Sequence, residues 1–343
     1  ASTKKSLIAL LVCLLLCLTS IAGTRYMMTD GGKVEVNDLK IAIDTGDIVR
    51  FLEYRPVNAT AESPVPAVVY SPGNDSTAES ARLVASELAR RGFAVYVLDL
   101  LSAGHSSEST GASPTYGFAE LIDYVYYNLP YIDSSRIGIA GYSKGGGNVV
   151  RVMTDYGEEQ RNSPETYEKK VSAALILAPP YSPLDDLATG INLGFGAGLY
   201  DPYSRLGFKD VPGYWPGDLS VKTEMKEVVN LGVPGTFSEE DLLDPNVKVE
   251  IGHVYGSYEE NNGRVIYNPE DSTHGSGMIS SAFIRDTVTF FSDTLGAPNP
   301  IDPSNQNYQI LMAFSALGLL AVLALTVPVA LLLLQVPVFA GLR

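Results

Sequence analysis

Residues 136–147 read RIGIAGYSKGGG, an apolar strand pattern running straight into Gly141-Tyr142-Ser143-Lys144-Gly145. A G-x-S-x-G pentapeptide set between a buried strand and a helix marks Ser143 as a candidate nucleophile. The flanking glycines have a steric task. A strand that turns at once into a helix forces strained backbone on the serine, and side chains two residues to either side would clash. With 32 glycines in the chain, chance alone could produce the pattern, so its context matters. Arg136 to Ala140 reads as a strand before it and Lys144 to Tyr156 as a helix after it.

Outward from this point, strand and helix signals alternate from about Lys33. VEVNDLKIAID and DIVRFLEYRP form an antiparallel pair around Thr45-Gly46, and Ala67 to Tyr70 is a short apolar strand ending in Pro72-Gly73. Ser76 and Glu79 have capping-box spacing ahead of a helix with Ala81, Val84, Ala85 and Leu88 on one face. Arg90-Arg91-Gly92 closes that helix with the right charge and a glycine. FAVYVLDL is a buried strand, Tyr116 to Leu129 a helix, and Ser172 to Ala178 the next strand. Val247 to Tyr255 and Arg264 to Tyr267 are strand-like, and Ser276 to Leu295 is a final amphipathic helix. This alternation predicts a mostly parallel sheet with both faces covered. Residues 181–247, rich in Gly, Pro and aromatics, read as a cap-like insertion, with Ile191 to Gly198 as a glycine-loosened strand inside it.

The two ends differ from the middle. Ser6 to Gly23 carries no charge and follows Lys4 and Lys5; Gln309 to Leu342 is also uncharged. The second run is long enough to cross a hydrocarbon core of about 30 Å, with Pro328 expected to kink it. The first reads as a signal-anchor, or as a signal peptide cut after Ser20-Ile21-Ala22, with the anchor preferred. Either places the following domain outside the cytoplasm, and Arg343 fits an in–out–in path. The expected organisation is therefore an anchor over 1–23, a catalytic domain over 24–296, a linker over 297–308 and a membrane segment over 309–343. The lipid bilayer is the partner of both terminal segments.

Net charge is −15, and without Lys4, Lys5 and Arg343 the chain has 21 basic residues against 39 acidic ones. So acidic a domain is repelled by nucleic acid and by anionic lipid surfaces. Cys13 and Cys17, the only cysteines, both lie in the first apolar run, which leaves the domain no disulfide and no thiolate metal site. The three histidines lack H-x-H or H-x-x-x-H spacing, and GYSKGGG lacks the frame of a phosphate-binding loop. Asn58-Ala59-Thr60 and Asn74-Asp75-Ser76 fit the glycosylation sequon.

A serine hydroxyl needs a base to take its proton as it attacks, and histidine suits that task near neutral pH. His105 follows a strand in a Ser/Gly loop, and His253 sits inside a strand pattern. His274 comes after the last strand and before the last helix, in PEDSTHGSG. The chain order Ser…acid…His and this loop position select His274. The orienting acid stays open between Asp201, in Gly198-Leu199-Tyr200-Asp201, and Glu259, in Gly256-Ser257-Tyr258-Glu259. Asp201 is favoured, Glu260 is a further candidate, and Asp271 reads as a turn residue. An oxyanion needs two backbone N–H donors. Lys144, after the nucleophile, supplies one, and Asn74, in the turn after AVVY, the other.

The motifs SPGND, ELARRGFAVYVLDLLSAGHS, GYSKGG, GLYD and YGSYEENNGRVIYNPEDSTH together resemble the α/β-hydrolase superfamily, and prokaryotic membrane-anchored members in particular. They span residues 71–274. The resemblance implies an α/β-hydrolase fold and a Ser–acid–His esterase-, thioesterase- or peptidase-like activity that needs no cofactor. The chain departs from many relatives at three places. Pro72-Gly73 replaces His-Gly, and Asp99-Leu100-Leu101-Ser102-Ala103-Gly104-His105-Ser106 replaces D-x-R-G-x-G-x-S. Lys144 stands where an apolar residue is usual. Relatives often carry several membrane helices after the domain, so this sequence reads as a fragment or a shortened version. The function expected is a membrane-tethered, extracytoplasmic serine hydrolase of small-molecule or peptide esters or amides. The alternative is a non-catalytic domain of the same fold that binds membrane-protein partners in an assembly.

Overall fold

The computed structural model describes residues 3–180, 184, 186–202 and 208–342. Arg343 and, within the expected insertion, positions 181–183, 185 and 203–207 lie outside the described residues. The chain divides into two units, Lys33–Asn305 and a terminal unit made of Ala1–Gly32 with Gln306–Arg343.

In the terminal unit, α1 (Thr3–Met28) and α8 (Tyr308–Leu333) each have 26 residues. At 1.5 Å per residue each is about 39 Å long, enough to cross a bilayer core of about 30 Å. The helices pack against each other along small residues. Ser6, Cys13 and Ser20, spaced by sevens, are the buried residues of α1, and the Ser20 hydroxyl donates to the Phe314 carbonyl at 2.7 Å. A Cβ on Gly23 would lie 2.4 Å from the Phe314 ring. Small residues at a helix–helix contact let two apolar helices approach this closely. The helix continues through Pro328 to Leu333.

Lys33–Asn305 is built on a nine-stranded sheet. Its strands are β1 (Val34–Ala42), β2 (Ile48–Pro56), β3 (Val65–Ser71), β4 (Ala94–Leu98), β5 (Ile132–Tyr142), β6 (Ala173–Leu177), β7 (Asn192–Gly196), β8 (Val254–Tyr255) and β9 (Arg264–Tyr267). Their spatial order is β1-β2-β4-β3-β5-β6-β7-β9-β8. From β4 to β9 neighbours run parallel; β1, β2 and β8 are antiparallel additions at the edges. The central strands β3 to β7 are almost wholly buried, as apolar runs covered on both faces must be.

The remaining helices of this unit are α2 (Arg82–Ala89), α3 (Phe118–Asn128), α4 (Lys144–Asn162), α5 (Thr223–Gly232), α6 (Glu239–Leu243) and α7 (Ser281–Leu295). Two glycines of β5 show how the layers are placed. A Cβ on Gly138 would lie 2.5 Å from Phe291 of α7, and one on Gly141 would lie 2.1 Å from the Gly145 carbonyl of α4. Residues three apart on a strand face opposite sides, so α7 and α4 cover opposite faces of the sheet.

Four local features differ from the sequence reading. The Ser76/Glu79 capping box does not form, because the Glu79 carboxylate accepts from Arg50 at 2.8 Å and the Ser76 hydroxyl turns to the Asn74 carbonyl. The strand expected over 247–255 is reduced to Val254–Tyr255, since Gly252 takes φ 77° and breaks the run. INLGFGAG is no loosened element of an insertion: its centre is β7, an interior strand between β6 and β9. The Pro/Asn linker is tied down as far as Asn305. The buried Arg91 guanidinium donates to the carbonyls of Ile301, Asp302 and Asn305.

Candidate active site

The site lies where the carboxyl ends of β3, β5, β7 and β9 meet, at one edge of the parallel sheet. Ser143 follows β5 directly, with φ 56° and ψ −120°, a conformation an L-residue holds only when its surroundings enforce it. Enforcement is visible in the backbone. The Ser143 amide donates to the Leu177 carbonyl at 2.9 Å, and the Ser143 carbonyl accepts from Gly147 at 3.0 Å. The neighbouring glycines allow the turn. A Cβ on Gly145 would lie 2.0 Å from the Ser71 carbonyl oxygen, so only glycine lets α4 close on the end of β3.

Asp201 and His274 come from two loops that hold each other. The amides of Leu199 and Tyr200 donate to the carbonyls of Pro269 and Ser272, at 2.9 and 3.3 Å. Gly198 permits that approach, since a Cβ there would lie 2.4 Å from the Ser272 carbonyl oxygen. On its other side, the Leu199 carbonyl accepts from the Trp215 indole at 2.8 Å. The result is a continuous chain of contacts: His274 Nε2 is 2.9 Å from Ser143 Oγ, and His274 Nδ1 is 2.8 Å from Asp201 Oδ2. Asp201 is 1% exposed and the His274 side chain 19%, so the carboxylate is sealed while the imidazole edge stays reachable.

The other candidates lie elsewhere. Glu259 is exposed, and its carboxylate takes the Ser257 hydroxyl at 2.6 Å, which holds its pKa below the usual glutamate value. Glu260 accepts from Asn262 in the same turn. That turn joins β8 to β9, and because the pair is antiparallel it lies at the sheet edge opposite Ser143. His105 is exposed, with its amide on Asp99, and His253 is half-exposed 4.0 Å from Glu250. Asp271 accepts from the Ser280 hydroxyl at 2.8 Å and ties the His274 loop to the start of α7.

Asn74 and Lys144 flank the serine. The loop carrying Asn74 passes beside it, since a Cβ on Gly73 would lie 3.5 Å from both the Ser143 Cβ and the Tyr142 carbonyl. The Asn74 side chain is exposed and donates to Asp75 at 2.6 Å. Lys144 is the first residue of α4, and first-turn amides have no acceptor within their own helix.

Two further side chains, Tyr142 and Asp99, hold loops at this end of the sheet. Tyr142, buried beneath the serine, donates its hydroxyl to the His274 carbonyl at 2.5 Å, and its ring lies 5.3 Å from the imidazole. Burial pushes the Tyr142 phenol well above its ordinary pKa, so it remains a donor. The second is the Asp99 loop. Asp99 is fully buried and accepts from the amides of Ala78 and His105, at 2.7 and 2.8 Å. Arg50, from β2, brings the guanidinium that faces it at 3.3 Å. In this loop Leu101 is buried and Ser102 takes φ 66°. Neither residue type signals its role, because each acts through a contact made across the fold.

Comparison with solved structures agrees with this architecture. Esterase Est22 superposes with a TM-score of 0.51 over 85% of this chain and 87% of its own, at 13% identity. A variant of the same esterase gives 0.51 over 86% and 92%, at 14% identity. The fold is that of the α/β-hydrolase superfamily. Within it, a family model described as Esterase FrsA-like matches residues 31–164, the α/β-hydrolase half that ends just after α4. Esterase FrsA of Vibrio vulnificus, from strains YJ016 and CMCP6, is 26% identical over 149 residues, 43% of this chain. The chain covers 32% of the length of those relatives. The matched α/β-hydrolase segment contains Ser143 and the Asp99 loop but neither Asp201 nor His274.

Proposed function

We propose that the chain is a serine hydrolase, acting on an ester, thioester or amide, with Ser143 as nucleophile, His274 as base and Asp201 as the acid that orients it. The observation that carries this reading is the unbroken Ser143–His274–Asp201 contact series at a strained turn. With Asp201 accepting from Nδ1–H, Nε2 of His274 presents its lone pair to the Ser143 hydroxyl. As Oγ attacks the substrate carbonyl, the proton passes to Nε2 and the carbonyl oxygen becomes an oxyanion. The amides of Lys144 and Asn74 stabilise it, each such donor contributing about 10²- to 10³-fold in rate. His274 then returns the proton to the leaving group, and an acyl ester on Ser143 remains. Water, deprotonated by the same imidazole, releases the acid and restores the serine.

The domain is proposed to stand outside the cytoplasm, tethered by α1 and α8. Both helices have the length and apolarity to span a bilayer, and Lys4 and Lys5 in the first turn of α1 favour the inside for that end. A fluorophosphonate probe tests the chemistry. It labels the folded protein and fails to label Ser143→Ala; absence of labelling, or equal labelling of the two, overturns the reading. In that case the same fold serves as a binding module, and Ser143→Ala leaves function in cells intact.

A further inference from the structure

Lys144 directly follows Ser143, and the structure gives its side chain a defined place. Its Nζ lies 3.5 Å from the centroid of the Tyr116 ring, a cation–π contact in which the ring face attracts the ammonium without neutralising it. Tyr116 is held for this contact. It takes φ 55°, next to Gly117 at φ 91°, and its carbonyl accepts from the Leu101 amide at 3.0 Å. Both side chains are half-buried, so the charge is partly shielded from water yet open to an incoming molecule.

Three other lysines of the unit are differently placed. Lys170, Lys222 and Lys248 approach aspartates at 2.7, 3.9 and 3.8 Å. Among the described residues, no carboxylate lies within 4.0 Å of the Lys144 ammonium. Acids are abundant: Lys33–Asn305 contains 38 acidic residues against 20 basic ones. An ammonium kept off carboxylates in so acidic a domain, at the positive end of the 19-residue α4, makes a local island of positive potential next to Ser143.

We propose that Lys144 selects substrate: its ammonium, held over Tyr116 beside Ser143, favours esters or amides that carry a second, anionic group such as a carboxylate. The proposal rests on the reading of Ser143 as nucleophile. Tyr116 positions the cation, which among the described residues has no carboxylate partner, so an anionic substrate supplies one. The surrounding acidic surface repels the same anion wherever it does not meet Lys144, which sharpens the choice.

The test compares matched ester pairs on the full chain. One pair is para-nitrophenyl butyrate and para-nitrophenyl hydrogen succinate, with the anion on the acyl side. The other is the butyrate of methyl para-hydroxybenzoate and that of para-hydroxybenzoate, with the anion on the leaving group. The readout is the anionic-to-neutral ratio of kcat/KM, from which the backbone donor common to both esters cancels. In at least one pair, Lys144→Met lowers that ratio about fivefold or more, Lys144→Arg retains it and Lys144→Glu lowers it further. Added salt lowers the wild-type ratio in the same direction, a measurement that needs no variant. A ratio unmoved by substitution and by salt in both pairs overturns the proposal while fluorophosphonate labelling of Ser143 persists. No turnover of any ester together with no labelling overturns the nucleophile reading, and the proposal with it.

Discussion

Gly198→Ala separates the acid from the base without touching either. The added Cβ would lie 2.4 Å from both the carbonyl and the hydroxyl oxygen of Ser272, where ordinary contact begins at 3.4 Å. The Asp201 loop and the His274 loop must therefore part by about 1 Å, or the Leu199 and Tyr200 amides must leave their acceptors. Taken up at the site, that retreat stretches the 2.8 Å contact between His274 Nδ1 and Asp201 Oδ2 beyond hydrogen-bond range. A displacement of this size typically lowers rate by about 10²-fold, and the overpacking costs about 1–3 kcal/mol of stability. Gly275→Ala is the control. It lies next to His274, but nothing stands within 4 Å of its added Cβ, so activity should stay within about twofold. The assay is kcat/KM on an activated ester together with the rate of fluorophosphonate labelling, on protein whose fold is checked by circular dichroism. Folded Gly198→Ala with wild-type labelling and turnover would refute the reasoning, since the loop pairing would then not govern the Asp201–His274 contact.

Further expectations follow from other contacts. Tyr142→Phe loses the hydroxyl that holds the His274 carbonyl, a bond contributing about 0.5–1.5 kcal/mol; kcat should fall about three- to tenfold with little change in KM, measured by steady-state kinetics. Arg50 holds the Glu79 carboxyl down to about 2 from 4.5, so the pair stabilises the fold above pH 4.5 and its contribution fades as pH falls towards 2. Chemical denaturation should accordingly find Glu79→Gln less stable than wild type near neutral pH, with the gap closing in acid. Arg91→Met removes the donor to Ile301, Asp302 and Asn305 and takes one guanidinium from the buried Glu87, so limited proteolysis should cut 297–305 faster than in wild type.

Much of the fold was legible along the chain because local chemistry encodes it. The buried strands β3 to β6 are apolar runs, and α2, α3 and α4 carry their apolar residues at helical spacing. Where a residue's role depends on a distant partner, the reading slipped. Ser76 and Glu79 have the spacing of a capping box, but the buried Arg50 attracts the carboxylate more strongly than a helix-end amide does. INLGFGAG looked loosened by its glycines, yet Gly194 is what lets β7 accept Leu175 and Phe290 against its surface.

Neighbouring residues encode the alternating α/β pattern, the apolar ends and the serine turn, and chain order singles out His274. Asp201 and Glu259 follow a glycine at the same spacing after strand-like runs, so the linear chain leaves both open. The folded sheet brings Asp201, and not Glu259, to the histidine. β7 runs parallel to β5 and delivers Asp201 to the edge where Ser143 sits, while the antiparallel β8 sends Glu259 to the opposite edge. Strand direction is a property of the assembled sheet, fixed by hydrogen bonds to neighbours far along the chain.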